Sequence, residues 1–235
     1  MPMYLSSKVF ILLSKIGICI SKRTNPDHAA NLLGIIRSPR RIPLFRAGGL
    51  GDGGYWLPQD LDGIRYCFSP GVATNSSFEE DLASRDMQIF LADKSVDTPP
   101  IQNEKFHFIK KHLASYSDNC ESLISLEDWC AESIPNSESE SELLLQMDIE
   151  GCEYEVIHSI SQKLLKRFKV LVIEFHNLHQ LLNCNQFEMM ERAFLKILKD
   201  FDVVHFEENR FAGYFEVSGK SYSRLLEVTF IRKLK

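Results

Sequence analysis

Four carboxylates and one imidazole in this chain stand where apolar runs end. LLLQMDIEG closes on Asp148 and Glu150, VLVIEFHN closes on Glu174 and His176, and MQIFLAD closes on Asp93. An unpaired charge is costly in a protein interior, so acids at the ends of buried strands call for a partner there, and a bound ligand supplies one. If the chain stays extended through 148–150, alternation puts Asp148 and Glu150 on the same side. Gly151 then permits a turn into the helical pattern CEYEVIHSI. The set Asp148, Glu150, Glu174 and His176 suits a general base for a hydroxyl or oxygen ligation of a divalent cation. His176 and His179 form an HxxH, but that spacing alone is poor support for zinc. The plainer reading is helix capping, since acids near a helix N-terminus gain ~0.3–1 kcal/mol from its dipole.

Two further segments converge on the same chemistry. IRYCFSPGVATNSSFEEDLA reads as a strand, a glycine turn and a helix. Gly71 lets the backbone come close to a ligand, while Asn75, Ser76 and Ser77 offer caps and hydrogen bonds. A full GxGxxG is missing. Asp93 follows about twenty residues later, the interval at which a ribose-binding acid stands in dinucleotide sites. Upstream, FRAGGLGDGGYWLP is the most glycine-dense stretch. It reads equally as a loop that folds over a ligand, with Asp52 and Tyr55 reaching in, or as a hairpin turn.

Short β-type runs alternating with segments of helical period predict an α/β domain with a mainly parallel sheet. Strands are expected at 64–68, 88–92, 106–109, 143–148, 170–174, 201–206 and 225–232, and helices at 76–85, 122–132, 153–166 and 186–199. In FEMMERAFLKILKD, Phe187, Met190, Phe194, Ile197 and Leu198 fall on one helical face. IPNSESESE reads as a solvated loop, and residues 25–47 as a connector. The last two strands lack a regular crossover helix between them and so suit antiparallel pairing at the sheet edge.

The 235 residues are 44% hydrophobic and 25% charged, ordinary for a globular protein with one sizeable core. The net charge of -5 is uneven: residues 1–46 hold eight Lys or Arg against Asp27 alone, which leaves -12 on the remainder. A basic extension (1–44) on an acidic catalytic-size domain (45–235) points to an anionic surface nearby, while an acidic body argues against a nucleic-acid substrate. The apolar stretch of MPMYLSSKVFILLSKIGICI is interrupted at Ser14 and Lys15, short of the ~20 residues that span a bilayer, and it has no A-x-A cleavage site. Residues 1–25 suit either peripheral contact with the inner face of a membrane or docking on the domain itself or a second copy in a homodimer. Six scattered cysteines without a CxxC pair fit reduced thiols in a cytoplasmic protein.

GDGGYW, CFSPGVATNSSFEEDLA, QMDIEGCEYEVI, VIEFH and LLEVTFIRK, in that order, resemble the FkbM-like methyltransferases over residues 45–235. The resemblance implies a Rossmann-like class I fold: a mostly parallel sheet with an antiparallel C-terminal edge strand and helices on both faces. It also implies S-adenosylmethionine as cofactor and methyl transfer, usually to an oxygen of a sugar or other small acceptor. Residue by residue it places Ser69 and Gly71 at the methionine part of the cofactor, Asp93 at the ribose, and Asp148 with Glu150 on the cleft floor. Ala73 stands where such turns commonly carry a second glycine, and HFEEN departs from a histidine- and asparagine-rich version, which bears on His205 and Asn209. His176, whose ordinary pKa lies near ~6.5, is the expected base, with Asp148 and Glu174 beside it; a divalent cation is allowed but not indicated. The rival readings are a nicotinamide-dependent oxidoreductase, opposed by the absent GxGxxG and Tyr-x-x-x-Lys, and a non-catalytic adenosylmethionine-binding or membrane-associated scaffold.

Overall fold

The structure is a computed structural model that describes residues 7–17, 20–51, 53–120, 122–138 and 140–234; Asp52 and Cys19 lie outside the described residues. Its centre is a seven-stranded sheet. In chain order a hairpin of β1 (Leu44–Ala47) and β2 (Tyr55–Pro58) precedes β3 (Ile64–Pro70), β4 (Gln88–Ala92) and β5 (Phe106–Ile109). After the short β6 (His112–Ala114) and β7 (Leu123–Ser125) come β8 (Glu142–Met147), β9 (Phe168–Phe175) and β10 (Phe201–Glu208). A second hairpin of β11 (Tyr214–Val217) and β12 (Lys220–Ser223) leads to β13 (Leu226–Arg232). The main sheet runs β10-β13-β9-β8-β3-β4-β5, with parallel pairing everywhere except along β13, which is antiparallel to both β10 and β9. The expected antiparallel pairing of the last two strands is present, but the final strand enters one place in from the edge and β10 is outermost.

Each strand divides its side chains between two cores. Along β9, Leu171, Ile173 and Phe175 face one, Val170 and Val172 the other. The first core is covered by helices α2 (Pro26–Ile36), α4 (Leu126–Ser133), α5 (Glu153–Ser159), α6 (Gln162–Leu165) and α7 (Cys184–Asp200). The second lies under the β1–β2 hairpin and α3 (Ser77–Ser84). Helix α7 has the expected face: Phe187, Met190, Phe194 and Ile197 are buried. The helix expected over 153–166 is interrupted at Ile160, where Ser161 starts α6 by accepting from the Leu164 N–H at 3.0 Å.

Residues 25–47, read as a connector, hold a regular helix. Asn25 caps α2 by accepting from the Asp27 N–H at 2.9 Å, and Pro26 occupies the first turn, where its missing N–H costs nothing. Ala29, Leu32, Leu33 and Ile36 are buried in the first core, so this part of the expected extension packs into the domain. Three of the basic residues there are matched internally along β10: Arg37 with Glu208, Arg40 with Asp202 and Arg46 with Glu207. Ahead of them, α1 (Ser7–Lys15) carries exposed Val9, Ile11 and Leu12. No helix among the described residues is long and apolar enough to cross a membrane.

Candidate functional site

Strand alternation assembles a polar stripe on the sheet face beneath the β1–β2 hairpin. Cys67 of β3, Leu144 of β8 and Val172 of β9 belong to the core on that face, so Ser69, Gln146 and Glu174, two residues further on, point the same way. The ladder register sets Glu174 opposite Glu227, and Glu227 opposite Glu207. These positions lie at the carboxyl ends of the parallel strands, the side on which open α/β sheets bind ligands.

Gly71 and Asp148 are neighbours. A Cβ on Gly71 would fall 1.6 Å from the Asp148 carbonyl oxygen, and φ there is +90°. The glycine therefore allows the turn after β3 to abut the end of β8, rather than giving room to a ligand. Asp93 is 6% exposed, and its carboxylate accepts from the Ala73 N–H at 2.8 Å and the Ser95 N–H at 2.7 Å. Burial raises its pKa, but the bonds from Ser95 and Ala73 outweigh that and hold it below the ordinary value. Just ahead of α3, Asn75 accepts from the Ser77 N–H at 3.0 Å, whereas Ser76, at the N-cap position, accepts from the Ile101 N–H at 3.2 Å.

The chain does not stay extended after Met147. Glu150 takes a left-handed conformation (φ +58°) and its side chain is 88% exposed. It still converges on the same imidazole as Asp148: His176 Nε2 is 3.7 Å from Asp148 Oδ1 and 3.4 Å from Glu150 Oε2. The other ring nitrogen, Nδ1, is 2.9 Å from Oε1 of Glu153, which also accepts from the Gly151 N–H at 3.0 Å. Glu153 is fully buried and ties the DIEG turn to His176. Its signal in the sequence was a second acid two residues after the glycine, easily read as a helix cap.

Charge sharing within this group redirects the expected chemistry. Burial pushes His176 down, but the bond to Glu153 and the charges of Glu153, Asp148 and Glu174 raise it to about 9. With carboxylates beside both ring nitrogens, the protonated imidazole is favoured over the neutral form that a base requires. Burial raises Glu174 to about 8, with the charge of Asp148 adding to it, and raises Asp148 to about 6, with His176 opposing. Burial and mutual repulsion thus favour one proton shared by the two carboxyls. Asp148 Oδ1 is buried and makes no hydrogen bond among the described residues. His179 stays below its ordinary pKa through burial and lies outside this group.

Beneath the Gly71 turn lies a second buried network that the sequence did not disclose. Ser69 Oγ meets Glu79 Oε1 of α3 and, at 2.7 Å, Gln146 Oε1; Gln146 Nε2 donates to the Tyr55 hydroxyl at 3.1 Å. One serine proton cannot serve two acceptors, so Glu79 brings its own. Burial raises Glu79 to about 7, tempered by the Ser69 bond.

Two hollows flank Tyr55. The smaller, about 70 Å³, is lined by Gly53, Tyr55, Gly71–Asn75, Glu79, Gln146 and Asp148. The larger, about 920 Å³, is bounded by Tyr55, Trp56, Glu174, Phe206, Glu207 and Glu227, with Asn209 also on its wall. Of the expected site residues, Tyr55, Gly71, Asn75 and Asp148 line the first and Glu174 the second. Ser69 and Ser76 lie behind the walls, as does Asp93. The glycine-rich segment is a hairpin that also covers the site: Gly48 O accepts from Ser77 Oγ at 2.9 Å, and a Cβ on Gly53 would fall 2.5 Å from Asn75 Nδ2. His205 lies under Trp56, their ring centroids 5.5 Å apart.

Residues 122–214 match the methyltransferase FkbM domain. The FkbM match takes in Asp148, Glu150, Glu153, Glu174 and His176 but not the Gly71 turn, Asp93 or Tyr55. Among solved structures, the chain is similar to a fibrillarin/Nop5p complex (10% identity, 74% of this chain and 75% of that one, TM-score 0.42). It is also similar to the N-methyltransferase NodS from Bradyrhizobium japonicum WM9 (10% identity, 88% and 96%, TM-score 0.37). No curated protein matches the chain. The FkbM match, over residues 122–214, supports an S-adenosylmethionine-dependent methyltransferase. The residues present suit such a cofactor in polarity, because the orphaned Asp148 Oδ1 offers a donor or a cation an acceptor beside the Gly71 turn. The small hollow, about 70 Å³, falls short of the ~300–1,000 Å³ of ordinary ligand sites, whereas the large one on the other side of Tyr55, about 920 Å³, lies within that range.

Proposed function

We propose that this chain transfers a methyl group from S-adenosylmethionine to a hydroxyl oxygen of a sugar or similar polyhydroxylated small molecule. The observation that carries the reading is the Asp148–Glu174 pair, one carboxyl on the wall of each hollow, with Tyr55 lining both. The large cleft offers aromatic faces at Trp56 and Phe206 for the apolar faces of a sugar, and carboxyl groups at Glu174, Glu207 and Glu227 as acceptors for its hydroxyls. The bound cofactor supplies a methyl group already activated by the positive sulfur, so alignment and exclusion of water are the protein's main tasks. Asp148 takes the hydroxyl proton, directly or through Glu174, and His176, fixed by Glu153, keeps Asp148 ionised until then.

The test is transfer of labelled methyl to free mono- and oligosaccharides, run beside cofactor calorimetry. Asp148→Asn and Glu174→Gln should each lower kcat by ~10²–10⁴-fold, the range of general acid–base effects. Glu174→Gln should leave cofactor affinity within about threefold, because Glu174 lies on the acceptor side. Undiminished turnover in both variants would remove the carboxyl pair from the reaction.

A further inference from the structure

We propose that the protein docks on an anionic lipid bilayer through α1 and the rim of the large cleft, so that the cleft opens toward the membrane surface. In α1 and the turn that ends it, Val9, Leu12, Leu13 and Ile16 follow the i, i+3, i+4, i+7 spacing of one helical face. Leu12 is 63% and Ile16 66% exposed, and only Leu13 is partly covered. A nine-residue helix is too short to persist in water by itself, so this face calls for a cover.

The charges choose the cover. Lys15 at the end of α1, and Lys22 and Arg23 just ahead of α2, are exposed and pair with no acid among the described residues. That contrasts with Arg37, Arg40 and Arg46, whose charges are matched along β10. Apolar side chains flanked by unmatched cations suit the interface of a bilayer carrying anionic headgroups.

Position connects this helix to the cleft. Lys22 O accepts from the Cys184 N–H at 3.0 Å and the Thr24 N–H donates to Leu182 O at 2.9 Å, which fixes the segment between α1 and α2 to the chain between β9 and α7. Glu174 and His176 stand at that same end. Leu50 and Phe211, each 99% exposed, line the large cleft there, with Arg210 beside them. Apolar groups without cover therefore occur both along α1 and at the cleft mouth.

The experiment is sedimentation of the full chain with vesicles of phosphatidylcholine alone and of phosphatidylcholine mixed equally with phosphatidylglycerol. The full chain should pellet with the mixed vesicles and be released by salt. Leu12→Glu with Ile16→Glu should lower partitioning by at least roughly tenfold, and Lys22→Ser and Arg23→Ser by roughly fivefold each, all with unchanged melting temperature and cofactor binding. Phe211→Ser should weaken partitioning while leaving α1 intact. A chain that stays in the supernatant with anionic vesicles overturns the proposal, as does equal pelleting of the Leu12/Ile16 double variant. A solution dimer that becomes monomeric on Ile16→Glu overturns it too, because a second copy would then cover the stripe.

Discussion

Burial raises the pKa of Asp148 and of Glu174 beside a His176 whose own is raised, and it raises that of Glu79 beneath the Gly71 turn. Glu79 gives the sharpest residue-scale prediction. Its folded pKa of about 7 lies above its ordinary 4.5, so the fold binds this proton more tightly than the unfolded chain does. The resulting stability is fully present below pH 4.5 and is lost as pH rises through 7, roughly 3 kcal/mol in all. Glu79→Gln keeps a neutral donor toward Ser69, and thermal melts between about pH 5 and pH 8 should show a flatter profile than the wild type. An equal slope would mean that Glu79 is ionised in the fold. At the turn above it, Ala73 adopts φ +44°, a left-handed conformation that costs a residue with a Cβ. Ala73→Gly should raise stability by roughly 1 kcal/mol, read as a shift in denaturant midpoint.

Helix α2 marks the limit of what the sequence disclosed about elements. The strands of the main sheet were legible because their apolar runs are long and bounded by turn residues. The single-faced α7 was legible because its apolar positions recur at helical spacing. Residues 26–36 carried a usable start signal, Asn25 followed by Pro26, but the surrounding Pro, Arg and Asn made the whole stretch resemble a connector. Leu33, buried against the first core, tests the assignment: Leu33→Ala should cost ~2–5 kcal/mol in chemical denaturation, whereas a loss below ~0.5 kcal/mol would show α2 to be peripheral. In the site, the acids at strand ends were visible because charge there interrupts an apolar pattern. Their pairing was not visible, because it depends on which strands lie side by side. Glu153 and Glu79 were not singled out, since acids in the first turn of a helix are ordinary, and only the packing of α5 on His176 and of α3 on Ser69 gives them other partners. Glu150 departed from simple alternation because the turn after β8 takes a left-handed step that no periodicity reveals.

At the scale of the molecule, the sheet gathers its polar tips at one end, the β1–β2 hairpin roofs them, and the basic N-terminal segment pairs partly with β10 and otherwise points outward. The account depends on the Gly71 turn and the Asp148 strand end forming one site for an adenosyl cofactor. Calorimetric titration of the full chain with S-adenosylmethionine, with NAD as the control and Asp148→Asn as the variant, tests this most directly. The account predicts one-to-one binding of S-adenosylmethionine, no heat with NAD, and an affinity at least roughly tenfold weaker in Asp148→Asn, where a cation loses its carboxylate partner. Binding of NAD in place of S-adenosylmethionine, or an Asp148→Asn variant that binds the cofactor as tightly as the wild type, would contradict it.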